Sequence, residues 1–121
     1  MKVVLRSPIA PDGADYRHSL TLDGIYEVLG LSGEDCQLLN NKNEPIFYAA
    51  CCFEVVDCTE PVFWVSEFGS EGERYAGPAE WSLPGFFEDF HDHNPRVKAQ
   101  FFADLVRLYP WTVKSRSEVK G

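Results

Sequence analysis

Turn signals fall so densely between residues 19 and 58 that no helix of ordinary length fits there. Asp23-Gly24, Ser32-Gly33-Glu34-Asp35 and Asn40-Asn41-Lys42-Asn43 cut SLTLDGIYEVLGLSGEDCQLLNNKNEPIFYAACCFEVVD into short pieces. Each piece is rich in the β-branched, aromatic and aliphatic residues that suit a pleated, half-buried surface. IYEVLGL, CQLLN, PIFYA and FEVVD are therefore predicted as strands. KVVLR at 2–6 is predicted as another, ahead of a Pro/Gly/Asp loop that runs to about Tyr16. Strands of about five residues joined by such tight turns describe a meander, and a meander this compact is expected to curl into a small barrel, because closure removes exposed edges.

The pattern then becomes specific. A glycine turn before Y-E-V, a hairpin, N-x-x-x-E-P-x-x-Y and F-E-V-V-D bring together Gly24, Tyr26, Glu27, Val28, Asn40, Glu44, Pro45, Tyr48, Phe53, Glu54, Val55, Val56 and Asp57. Over residues 19–58 this resembles small bacterial SH3-like barrels. The resemblance implies a fold used to bind peptides, proteins or nucleic acids, and it implies no catalytic residues. A fold does not by itself fix a function.

Beyond the meander, VFWVSEFGSEGERYAGP reads as a hairpin turning at Gly69 to Gly72, within residues 60–78. Pro78, Pro84 and Gly85 then interrupt the chain. FFEDF is predicted to form one helical turn. Asn94-Pro95 supplies a capping residue and a first-turn proline for a helix over RVKAQFFADLVRLY. In that helix Val97, Phe101, Leu105 and Leu108 form an apolar stripe, widened by Phe102, Val106 and Tyr109, and Pro110 ends it. The tail is predicted to add a short strand at 111–113. The expected class is α+β: an SH3-like small β-barrel with an appended β-hairpin and a C-terminal amphipathic helix. It is read as a single domain, 1–121, with the barrel at 19–58, the hairpin at 60–78 and the helical segment at 84–110.

Composition narrows the setting. With 121 residues, 45% apolar and 25% charged, the chain is sized and balanced for one folded core. No apolar run approaches the ~20 residues of a membrane helix. Pro8 and Pro11 come too soon for a secretory signal, so a cytoplasmic location is expected. Cys51 and Cys52 are adjacent and Cys36 and Cys58 stand alone. With no C-x-x-C pair, they read as reduced, packed thiols.

The net charge of −8 is unevenly placed. Residues 54–93 hold ten acids against one base, Arg74; from 94 onward six Lys or Arg face Asp104 and Glu118. An acidic middle segment repels phosphate backbones, which excludes direct nucleic-acid binding as an expectation. Trp64, Tyr75 and Trp81 lie within it. Aromatics ringed by carboxylates suit a cationic protein partner, since rings supply contact area and acids steer the encounter. FWV reads as a buried strand, which places Trp64 in the core, whereas Trp81 lies in a loop where binding residues concentrate. The expected partner-binding residues are Glu67, Glu71, Glu73, Glu80, Trp81, Glu88, Asp89 and Asp92. Small size, acidity and the lack of catalytic motifs resemble the immunity proteins that neutralise basic bacterial toxins. The expectation is a non-enzymatic monomer or small homo-oligomer that needs no cofactor.

FFEDFHDH, residues 86–93, offers the alternative. His91 and His93 with Asp89 or Asp92 supply metal-ligating atoms for a small metal protein or hydrolase. On a helix, however, side chains two apart diverge by about 200° and cannot share an ion. The phenylalanines at 86, 87 and 90 have the spacing of a buried face, which turns Glu88, Asp89 and Asp92 outward. No G-x-S-x-G, Walker loop or G-x-G-x-x-G is present. A third possibility is a scaffold or oligomer subunit that buries its aromatics against a copy of itself.

Overall fold

The computed structural model describes residues 1–120, with side chains through residue 116. It has mixed α and β content, in two compact units, Met1–Gly77 and a second that begins at Pro78.

The first unit is a seven-stranded antiparallel sheet: β1 (Lys2–Leu5), β2 (Ile25–Ser32), β3 (Asp35–Leu39), β4 (Pro45–Ala49), β5 (Phe53–Asp57), β6 (Trp64–Phe68) and β7 (Arg74–Pro78). The main path runs β4-β3-β2-β1-β5. β2 is long enough to split one of its edges. Its first half pairs with β1 through Glu27↔Lys2 and Tyr26↔Val3, and its last residues pair with β7 through Leu31↔Ala76 and Ser32↔Tyr75. Gly30 makes this branching possible, because a Cβ there would lie 2.9 Å from the Ala76 carbonyl oxygen. The ladder with β3 shifts register between Val28 and Gly30, as expected where a strand bends.

The predicted closure into a barrel does not occur. β4 and β5 end the path and do not pair with each other. β5 meets β1 through Lys2↔Asp57 and Val3↔Val55, so Val56 is an extra residue in a bulge, and Val55 and Val56 both face solvent. Bulges twist an edge away from further pairing.

The residues of N-x-x-x-E-P-x-x-Y act locally. Asn40 Oδ1 accepts the Lys42 and Glu44 N–H groups at 2.9 and 3.0 Å, while its Nδ2 donates to the Tyr48 hydroxyl at 3.2 Å. Asn40 is buried, so satisfying its amide at both ends offsets its desolvation. Val3, Leu5, Leu20, Tyr26, Val28, Leu38 and Tyr48 form the core, together with Cys36 and Cys52; Trp64 is half-buried and packs against it, whereas Val65 of the FWV run, expected to be buried, faces solvent. Burial, assisted by Asp35, pushes the Cys36 thiol up to about 12, which keeps it protonated and inert.

The second unit is helical. Gly85, at φ 78°, opens α1 (Phe86–His91), and α1 buries Phe86 and Phe90 one turn apart. Asn94 caps α2 (Pro95–Leu108) by accepting the Arg96 and Val97 N–H groups. Phe101 and Leu105 are buried, whereas Phe102 and Val106 are exposed, so the apolar stripe is narrower than its sequence implies. The strand predicted at 111–113 is instead part of α3 (Pro110–Lys120). Pro110 both stops α2 and starts α3, because a proline without an N–H fits the first turn of a helix. Tyr109, fully buried with φ −126° and ψ 61°, forms the joint. No helix among the described residues is long and apolar enough to cross a membrane.

Candidate functional site

The acidic segment divides between the two units. In the first, Gly69-Ser70-Glu71-Gly72 closes the β6–β7 hairpin. The Gly72 N–H donates to the Gly69 carbonyl at 3.1 Å, the Gly69 N–H donates to the Glu73 carbonyl at 2.8 Å, and Gly72 sits at φ 85°. This is the three-residue hairpin loop that needs a left-handed residue in third place. Glu73 is spent on the turn, since its Oε2 accepts the Glu71 N–H at 3.0 Å. Arg74 is also committed, reaching both oxygens of Glu60 at 2.7 Å and donating to Ser66 Oγ. That pairing holds the Glu60 carboxyl below its ordinary value.

Glu67 and Glu71 remain exposed, and none of the ion pairs among the described residues includes them. Around them the hairpin presents apolar surface to water: Val65 is 45% exposed, Phe68 70% and Tyr75 43%. By contrast, the acids of β5 are neutralised, Glu54 by Arg6 at 2.8 Å and Asp57 by Lys2 at 3.6 Å.

In the second unit the expected residues take different roles. Trp81 is corrected from a loop anchor to a core residue. It is 5% exposed, lies 4.6 Å from the Phe101 ring, stacks on Tyr109 at 5.7 Å, and donates its indole N–H to Asp104 Oδ2 at 3.1 Å. Glu80 is taken by Arg107 at 2.6 Å, and Arg107 also holds Asp104. Arg107 lowers the Glu80 carboxyl from its ordinary value. Glu88, Asp89 and Asp92 are exposed and outside these ion pairs, and Glu88 and Asp89 occupy the first turn of α1, where its dipole favours negative charge.

His91 and His93 have structural settings. His93 takes the left-handed position, φ 63°, after α1. Its N–H donates to the Phe90 carbonyl and the Asn94 N–H to the Asp89 carbonyl, the two bonds that terminate a helix in a Schellman motif. The Lys98 ammonium lies 3.5 Å from His93 Nδ1, and His91 meets the Phe90 ring edge-on. Among the described residues no three His, Cys, Asp or Glu side chains are grouped to hold a metal ion. Ser66 Oγ accepts from Arg74, and Ser82 Oγ donates to the Pro78 carbonyl.

Sequence reasoning missed Val65 and Phe68 as exposed apolar groups. The available signal was position: Phe68 directly precedes the Gly69–Gly72 turn, where a two-stranded hairpin has little to cover it. No family model, curated protein or solved structure matches the chain.

Proposed function

We propose that the chain is a non-catalytic recognition module that binds a basic protein in the cytoplasm through the outward surface of the β6–β7 hairpin. Neutralisation of a basic toxin by an immunity protein is the concrete form of this reading. One observation carries it: Phe68 and Tyr75 stand in water on the same hairpin as Glu67 and Glu71, whose carboxylates enter none of the ion pairs among the described residues. Exposed rings rimmed by unneutralised acids provide contact area and long-range attraction for a cationic surface. Glu88, Asp89 and Asp92 belong to the second unit and not to this site; Glu73, Glu80 and Trp81 act within the fold. The SH3-like resemblance belongs to the proposal as its scaffold, and the order of short antiparallel strands, with β5 returning to β1, supports it. A scaffold role by self-association draws on the same exposed apolar groups, but with net charge −8 on each copy it faces repulsion.

Charge reversal tests the reading. Glu67→Lys with Glu71→Lys is expected to leave the fold intact. It should slow capture of the partner from host extract by about tenfold at low salt, with the difference closing as salt rises. Capture unchanged at every ionic strength would reduce these carboxylates to solubilising groups and overturn the proposal.

A further inference from the structure

The free edge of β6 extends this reading from a surface to a mode of binding. Among the described residues β6 pairs with β7 alone. The Gly69 N–H points at β7, where it meets the Glu73 carbonyl. Alternation along an extended strand turns the backbone of Glu67 and Val65 the same way, and that of Ser66 and Phe68 the opposite way. Trp64, in the outward phase, spends its N–H on the Pro61 carbonyl at 3.3 Å. The N–H and C=O groups of Ser66 and Phe68 thus form an open row, and all four residues 65–68 are exposed. The remaining edges are blunted: β4 begins with Pro45, which has no N–H, and β5 carries the Val56 bulge and acids already paired.

We infer that the partner docks an extended basic segment as an added antiparallel or parallel strand on β6, with backbone hydrogen bonds to Ser66 and Phe68 and cationic side chains facing Glu67 and Glu71. Strand addition draws affinity from the main chain and specificity from alternate side chains. Charge decides the occupant. A second copy would bring Glu67 and Glu71 of two chains of net charge −8 together, whereas a lysine- or arginine-bearing strand meets them with opposite sign. This inference rests on the recognition reading above.

The test uses the whole chain and three short synthetic peptides: one of alternating Val and Lys, its Val/Glu counterpart, and the Val/Lys peptide N-methylated at alternate residues. The Val/Lys peptide is expected to bind, and to slow hydrogen exchange at the Ser66 and Phe68 amides; the other two should bind at least about tenfold more weakly. Ser66→Pro removes one outward N–H without touching the β7 ladder and should weaken peptide binding about tenfold. Ser66→Ala, which removes only the hydroxyl that accepts from Arg74, should not. Equal binding of the N-methylated peptide, or no protection at Ser66 and Phe68, overturns the strand-addition mode. A concentration-dependent mass in ultracentrifugation that Ser66→Pro abolishes assigns the edge to a second copy and also overturns it. If Ser66→Pro leaves capture from host extract unchanged while Glu67→Lys with Glu71→Lys abolishes it, the edge inference fails and the acidic recognition reading stands. If neither variant matters, the recognition reading itself fails.

Discussion

EFGSEGERY on the hairpin and FFEDFHDH on α1 look alike in composition, since both mix aromatics with acids, yet the fold treats them in opposite ways. On α1 the helical period sorts the two kinds of residue: Phe86 and Phe90 go inward, and Glu88 and Asp89 go outward. The hairpin tip has no second layer over either face, so Phe68 and Tyr75 stay in water together with Glu67 and Glu71. An aromatic-acidic segment therefore packs into a core or stays in water according to whether a second layer covers one of its faces.

The sharpest way to break this comparison is to truncate a ring on each side. Phe101, at 0% exposure and within 5.1 Å of the Phe90 ring, should cost about 3–5 kcal/mol on Phe101→Ala. Phe68→Ala should change stability by less than about 0.5 kcal/mol. Urea unfolding followed by tryptophan fluorescence measures both, and similar losses would erase the distinction.

Reversing acids gives a smaller contrast. Glu88→Lys with Asp89→Lys places positive charge in the first turn of α1 and should cost about 0.5–1 kcal/mol per site at low salt. The hairpin pair Glu67→Lys with Glu71→Lys should be nearly silent in the same unfolding assay.

The smallest effect concerns the committed carboxylates. The hydrogen bond from Arg107 lowers the folded-state value of Glu80, so its stabilisation is present above the unfolded carboxylate value and is lost as pH falls through the folded one. Both partners are substantially exposed, and screening keeps the contribution small. The urea midpoints of the native chain and Glu80→Gln should differ at neutral pH and converge in acid. A gap that persists in acid would mean that Glu80 acts through packing instead of charge.

Much of the local structure was legible. Asp23-Gly24, Asn40 to Asn43 and Gly69 to Gly72 all mark reversals, and Asn94-Pro95 begins a helix, because each of these signals works through its own backbone and its nearest neighbours. The candidate site was only half legible. The hairpin acids Glu67 and Glu71 were in the expected set, but Phe68 and Val65 were not. Trp81 and Glu80 were placed in the site although Asp104 and Arg107, far along the chain, draw them into the fold. Nothing in the order of residues announces those partners.

The chain alone set where its strands and the helix after Asn94 begin, how its turns are built, and that its middle carries the negative charge. Tertiary structure decided that β2 divides one edge between β1 and β7, that the sheet stays open, and which carboxylates meet a cation. The first group rests on steric and hydrogen-bonding preferences that act over a few residues. The second depends on which distant segments compete for the same edge, core or charge, and only the folded chain settles that competition.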